Sequence, residues 1–369
     1  MFKMAISPLY GSPSEIPRCQ AANSGAKTLG GYPLFDWLRI ALASVVALEH
    51  EGMPPFGPID ANLAVVIFLA LSGWLIGGIL LALPVRGLPR FFFNRATRIW
   101  IPYACAVVLI YGLAALRDGM DANWFKYLFY DTTFTHITFT RFPQALYELP
   151  LGGTGNHFWS ISVEEQFYLI TPLLMFLLPF GKRIWFWILV SVALLLVQSV
   201  FSAIALGVLA ALIARDFPGW YQARGARLLV WVAACATFGI ICWFDIAPMR
   251  AIFAVLLVQG LAIPGIRGRT GMFLGAISYP FYLNHWMGAF LVNGLVKHFP
   301  PVPGFLTILA SYIMALIAGV VAWALVDRWV MQRRNGWFTR RRGLILGAWG
   351  YGLVMAGLVG GTIIQIRGG

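Results

Sequence analysis

Residues 184 to 214 run for 31 positions without one charged side chain. As a single helix this stretch would measure about 46 Å, against a hydrocarbon core of roughly 30 Å. Two spanning helices that turn near Gln198 to Ser202 fit better. Comparable runs recur along the chain, at 34–52, 63–83, 99–116, 158–180, 184–198, 201–214, 227–246, 250–264, 272–295, 304–327 and 343–365. Only 11% of the residues are charged and 60% are hydrophobic, whereas soluble domains carry about 25% charge. Such a chain cannot clothe itself in polar surface, so lipid must be part of its solvent. The expected fold is all-α, a polytopic membrane helix bundle of eleven transmembrane helices.

Charge sets the expected orientation. Cytoplasmic loops of membrane proteins are enriched in Lys and Arg. With eleven spans, twenty of the 27 basic residues fall on one side, six on the other, and Arg39 inside the first span. The basic side is then cytoplasmic, with the N-terminus in and the C-terminus out. Fusing the fifth and sixth spans would move the six arginines between Arg328 and Arg342 outward, against the rule. The net charge of +13 is therefore a topology signal. Its short, separated runs form no basic face, and nucleic acid is not an expected partner. Cys105, Cys235 and Cys242 lie in apolar runs and Cys19 in a polar one. No CxxC or Cys/His cluster suggests a metal or a redox pair. Three regions result: 1–32, a flexible cytoplasmic tail; 33–330, a ten-helix membrane domain; and 331–369, a basic cytoplasmic linker with the eleventh span.

Ionisable side chains inside spans are the informative ones, because each costs roughly 2.5–3.5 kcal/mol on insertion scales. The first span holds Asp36, Arg39, Glu49 and His50; the fourth opens Phe158-Trp159-Ser160-Ile161-Ser162-Val163-Glu164-Glu165-Gln166-Phe167-Tyr168. Asp36 and Arg39 lie one turn apart near the inner end, as a donor clamp or a plain ion pair. His50 lies 14 residues further on, about 21 Å along the axis. The opposite direction of the fourth span puts Glu164 and Glu165 in the same outer half. His50 suits a general base, with a carboxylate to fix its tautomer. Glu164 shares a stripe with Ser160 and Tyr168, so it is the expected partner, ahead of Glu165. At the inner side, Arg95 and Arg98 are spaced to grip phosphates, unless they only anchor topology. His285 and Tyr282, in Ser278-Tyr279-Pro280-Phe281-Tyr282-Leu283-Asn284-His285, are candidate supports, and Ser72-Gly73 reads first as a close-packing step.

Together these residues resemble the membrane-bound acyltransferase family 3, which modifies bacterial surface glycans and some antibiotics. Phe35-Asp36-Trp37-Leu38-Arg39 followed by His50 looks like its first-helix motif. Asn94-Arg95-Ala96-Thr97-Arg98-Ile99 is similar to its Arg-x-x-Arg element, and the run from Phe158 to Tyr168 is the closest match. Weaker likenesses lie at Phe68 to Ile76, which holds Ser72, and at Ile277 to His285. Leu38-Arg39-Ile40, where Leu-Arg-Gly is usual, and Glu51, where an aromatic is usual, depart from the pattern. The resemblance implies acetyl-CoA as donor substrate, His50 and Glu164 as catalytic residues, and Arg95, Arg98, Arg39 and Asp36 near the coenzyme. Trp159, Ser160, Ser162, Tyr168, Ser72, Tyr282 and His285 would line or support the site, with no metal. It also implies the stand-alone form without an SGNH domain, in the bacterial inner membrane.

The expected function is therefore O-acetylation of a lipid-linked or exported glycan at the outer face, alongside glycan-assembly machinery. Acylation of a small hydroxylated metabolite such as a macrolide sugar is the other enzyme reading. A secondary transporter would also bury charges, but no pair of Gly/Pro-broken helices recurs in matching halves. A non-catalytic scaffold would have no use for His50 and Glu164 at one depth.

Overall fold

The computed structural model describes residues 31–140, 143, 145–298 and 303–368. The tail expected over 1–32 lies outside the described residues except for its last two. All eleven expected segments are helical, and among the described residues the only extended pairing is an isolated bridge between Phe56 and Ile59. The long elements are α1 (Pro33–His50), α2 (Ala61–Ala82), α3 (Leu88–Arg117), α4 (Ala122–Thr132), α5 (Trp159–Leu177), α6 (Ile184–Leu196) and α7 (Ser202–Asp216). They continue as α8 (Arg224–Phe244), α9 (Ala247–Leu261), α10 (Arg269–Asn284), α11 (Trp286–Val296), α12 (Gly304–Trp337) and α13 (Arg340–Gly368).

Among the described residues, five helices are long and apolar enough to cross a membrane: α2, α8, α12, α13 and the helical stretch Val85–Arg117. The remaining expected spans are shorter, interrupted or polar. α1 and α5 carry the charges singled out above, and the expected ninth span divides at His285 into α10 and α11. The split of 184–214 is present, with Gln198 turning at a φ of 51° between α6 and α7. α3 begins at Leu88, so Arg90, Arg95 and Arg98 lie within the helix rather than ahead of it. α12 runs unbroken through a π-helical turn at Trp323–Asp327. Leu109, Leu189, Leu229, Trp243 and Ile317 are among many large apolar side chains left exposed, as lipid-facing helices require.

Small residues let the core helices approach. Gly73 of α2 and Gly207 of α7 face each other, and a Cβ on Gly73 would lie 2.8 Å from the Ile204 carbonyl carbon and 3.1 Å from the Gly207 Cα. The Ser72-Gly73 step is thus a backbone-to-backbone crossing, as its composition suggests. It turns Ser72 toward α5. The segment between α3 and α5, left between the expected spans 99–116 and 158–180, folds around a buried polar knot. Tyr111 of α3 donates to Asp131 at 2.6 Å, and His136 Nδ1 lies 2.6 Å from the other carboxylate oxygen. Lys126 Nζ lies 2.5 Å from Glu148 Oε2, and its ammonium holds that carboxyl below the ordinary carboxylate range.

Gly207→Val forces the two backbones apart, and overpacking of this kind costs about 1–3 kcal/mol. We expect a lower thermal midpoint for the detergent-purified variant, while Gly78→Val, whose Cβ meets nothing within 4 Å, leaves the midpoint near wild type.

Candidate active site

α1 stops where it does because Gly52 takes a φ of 97°. The Met53 amide donates to the Leu48 carbonyl at 2.9 Å and the Gly52 amide to Glu49 at 3.0 Å. This is the Schellman closure that a glycine past the last turn makes. His50 is thereby left as the final helical residue, more than a third exposed. Glu49 turns to the start of α2, accepting from the Ala61 amide at 2.6 Å.

The partner of His50 is His285. His50 Nδ1 lies 2.7 Å from His285 Nε2, with ring centroids 4.9 Å apart. His285 is buried at the break between α10 and α11, and its Nδ1 lies 2.7 Å from the Tyr282 carbonyl oxygen. A carbonyl only accepts, so His285 Nδ1 carries the hydrogen. In the neutral ring Nε2 is then a lone pair, and it accepts from His50 Nδ1–H. In the neutral ring His50 Nε2 is then the lone-pair nitrogen. The tautomers follow in order from one backbone carbonyl.

A third histidine closes the cluster. His157, buried in a short helical turn ahead of α5, lies with its ring centroid 4.9 Å from that of His285. Its Nδ1 is 3.0 Å from the Thr154 carbonyl oxygen and its Nε2 is 3.1 Å from that of Leu283. Ser160 and Tyr282 join the same cluster: their hydroxyls are 2.7 Å apart, and Tyr282 also donates to the His157 carbonyl at 3.2 Å.

Glu164 belongs elsewhere. Ser72 donates to it at 2.5 Å, Tyr168 bonds it, and Arg95 and Arg39 bear on its charge. The Arg95 guanidinium lies 5.4 Å from the centre of the Tyr168 ring. Among the described residues no bond joins Glu164 to His50, so the expected carboxylate–histidine pair is replaced by a histidine–histidine pair. The reason is one helical turn. His157 and Ser160 meet His285 and Tyr282, and through His285 the end of α1, whereas Glu164 sits four residues past Ser160 along α5, about 6 Å deeper. Glu165, buried, accepts from Trp100 at 2.7 Å.

The inner-end expectations divide similarly. Asp36 accepts from Arg267 through two nitrogens, at 2.6 and 2.5 Å, so the ion pair it forms is not with Arg39. The bidentate fork requires a guanidinium approaching side-on, which Arg267 does from the segment before α10. Arg95 points toward Glu164 and Tyr168, while Arg98 faces Asp327 across a cleft lined by Thr97 and Tyr279. One turn of α3 therefore serves two neighbours. Trp159 is half-buried against the core, and Ser162 is buried with no bond to its hydroxyl among the described residues. Sequence reasoning missed His157 and Arg267. His157 directly precedes the Phe158-Trp159 motif and was legible as an adjacent polar residue; Arg267 carries no local signal.

The family model for an acyltransferase domain matches residues 32–326. The chain belongs to acyltransferase family 3. It is 28% identical over 179 residues to an O-acetyl transferase of Shigella phage Sf6, covering 45% of this chain and 53% of that protein. The chain thus spans about half the length of that relative. It is 23% identical over 350 residues to a putative membrane-bound transacylase of Komagataeibacter xylinus, covering 81% of this chain and 83% of that protein. No solved structure matches it. The matched region contains both polar clusters and ends one residue before Asp327.

Asp36→Asn removes a buried carboxylate from Arg267, whose side chain is 19% exposed. Breaking a buried pair from one side costs roughly 3 kcal/mol at the low end. We expect a clear drop in thermal midpoint, and a double variant Asp36→Asn/Arg267→Gln less destabilised than the sum of the singles. Additive losses would show that the pair contributes nothing as a pair.

Proposed function

We propose that this family member is a multi-pass enzyme of the bacterial inner membrane that takes acetyl from cytoplasmic acetyl-CoA. It passes the group to a hydroxyl of a lipid-linked or exported glycan at the outer face. In this reading the chain crosses eleven times, N-terminus in, as its loop arginines favour. The observation that carries the chemistry is the His285–His50 relay, which leaves Nε2 of the exposed His50 as the lone-pair nitrogen.

At that nitrogen the acceptor hydroxyl would lose its proton as its oxygen attacks the thioester carbonyl. The imidazolium forming on His50 is stabilised through Nδ1–H by His285 and by the carbonyl end of α1. Collapse of the tetrahedral intermediate breaks the carbon–sulfur bond, and His50 returns its proton to the leaving thiolate. The donor would be held from the opposite end by Arg95 and Arg98, in the manner of guanidinium–phosphate recognition. Glu164, fixed by Ser72, orients Arg95 in this scheme rather than the base. The O-acetyl transferase and transacylase relatives agree with the reaction class.

We expect His50→Ala to lower acetyl transfer by about 100-fold or more, the usual contribution of a general base, without loss of the gel-filtration peak. Near-normal turnover would remove His50 from the mechanism. Arg95→Ala and Arg98→Ala should each weaken acetyl-CoA binding by about 1.5–3 kcal/mol, measured by calorimetry.

A further inference from the structure

His157 takes no part in the chemistry above, yet it is buried against the relay with a backbone carbonyl beside each ring nitrogen. α10 is interrupted at His285, five residues past Pro280, which supplies no amide hydrogen of its own to the helix. The last-turn carbonyls of α10 take side-chain donors. Asn284 donates to Pro280 at 2.9 Å, His285 Nδ1 bonds Tyr282, and His157 Nε2 faces Leu283. The Leu283 carbonyl lies between the Tyr282 carbonyl that sets the His285 tautomer and His285 itself. Among the described residues its one side-chain donor comes from a different element, the His157 turn ahead of α5.

We infer that His157 is a positioning residue for the His50 base: by bonding the Leu283 carbonyl through Nε2 it holds the broken end of α10 so that His285 accepts from His50. The inference rests on His50 being the base. The titratable groups facing His157 are His285 and Tyr282 from α10, His50 from α1 and His136 from the α4 side. Among the described residues no carboxylate bonds it; a neutral ring carries one N–H and can donate to only one of the two carbonyls, and the positioning role places that hydrogen on Nε2, toward Leu283. A bond donated by His50 Nδ1–H favours the charged form of His50. Loosening His285 weakens that bond, and the His50 titration midpoint moves down.

The test uses the two amide mimics of imidazole in the full detergent-purified chain. Glutamine can place its amide nitrogen where Nε2 lies, toward Leu283; asparagine places its nitrogen where Nδ1 lies, toward Thr154. Diethyl pyrocarbonate carbethoxylates unprotonated imidazole, and its rate at exposed His50, followed by peptide mass spectrometry across pH, reports that midpoint without requiring turnover. His157→Asn is expected to move the midpoint down by about half a pH unit or more, and His157→Gln to leave it near wild type. Thiol release from acetyl-CoA, with water as acceptor, should fall about tenfold in the asparagine variant and stay within about twofold in the glutamine variant. Equal behaviour of the two variants, shifted or unshifted, overturns the inference. If the asparagine protein does not survive purification, His157→Phe, which keeps a ring without donors, carries the same expectation. An active His50→Ala enzyme would sink the base assignment, whereas an inactive one beside an unshifted His157→Asn would sink only the role of His157.

Discussion

The hydrogen bond between His50 and His285 depends on a helix ending and a helix breaking at the same place. α1 must close at Gly52 for His50 to stand in its last turn, and α10 must open at His285 for that ring to turn inward. Each event frees backbone groups that must find partners: α1 closes on its own carbonyls through Gly52 and Met53, and the carbonyls at the end of α10 face side-chain nitrogens. The His50–His285 bond then joins the two ends. The polar side chains here are tolerated because the chain of donors and acceptors closes on backbone carbonyls, and that closure also selects the tautomer of the exposed ring.

The second polar cluster obeys the same rule with charges. Glu164 lies among Ser72, Tyr168, Arg95 and Arg39, and Asp36 is forked by Arg267. A lone buried carboxylate would be prohibitively costly, whereas one met by guanidinium and hydroxyl donors is sustainable. The Gly73–Gly207 crossing brings α2 close to α7 and sets Ser72 on the face that reaches α5. Packing and electrostatics are thus joined at one residue pair. Both clusters lie inside the family-matched region, and they leave His50 and the arginines on separate levels of the bundle.

Several features of this protein are set by sequence alone. The scarcity of charge dictates helices in lipid; the uncharged 31-residue run dictates a turn near Gln198, because one helix of that length overshoots the bilayer. The ionisable residues of α1 and α5 mark the candidate site, since an apolar medium lets them persist only in partnership. The glycine step at 72–73 marks a close crossing. What tertiary structure decided is who meets whom. Glu164 and His50 fall in one half of the bundle by residue counting, but counting does not resolve a single turn of about 5.4 Å, and that turn separates them. Asp36 had a cation three residues away and found another 231 residues along the chain. His285 became the partner of His50 through a break in α10 that no periodicity announces. Hydrogen bonds act over about 3 Å, so their partners are chosen by the packing of distant segments, whereas the membrane acts on each segment by itself.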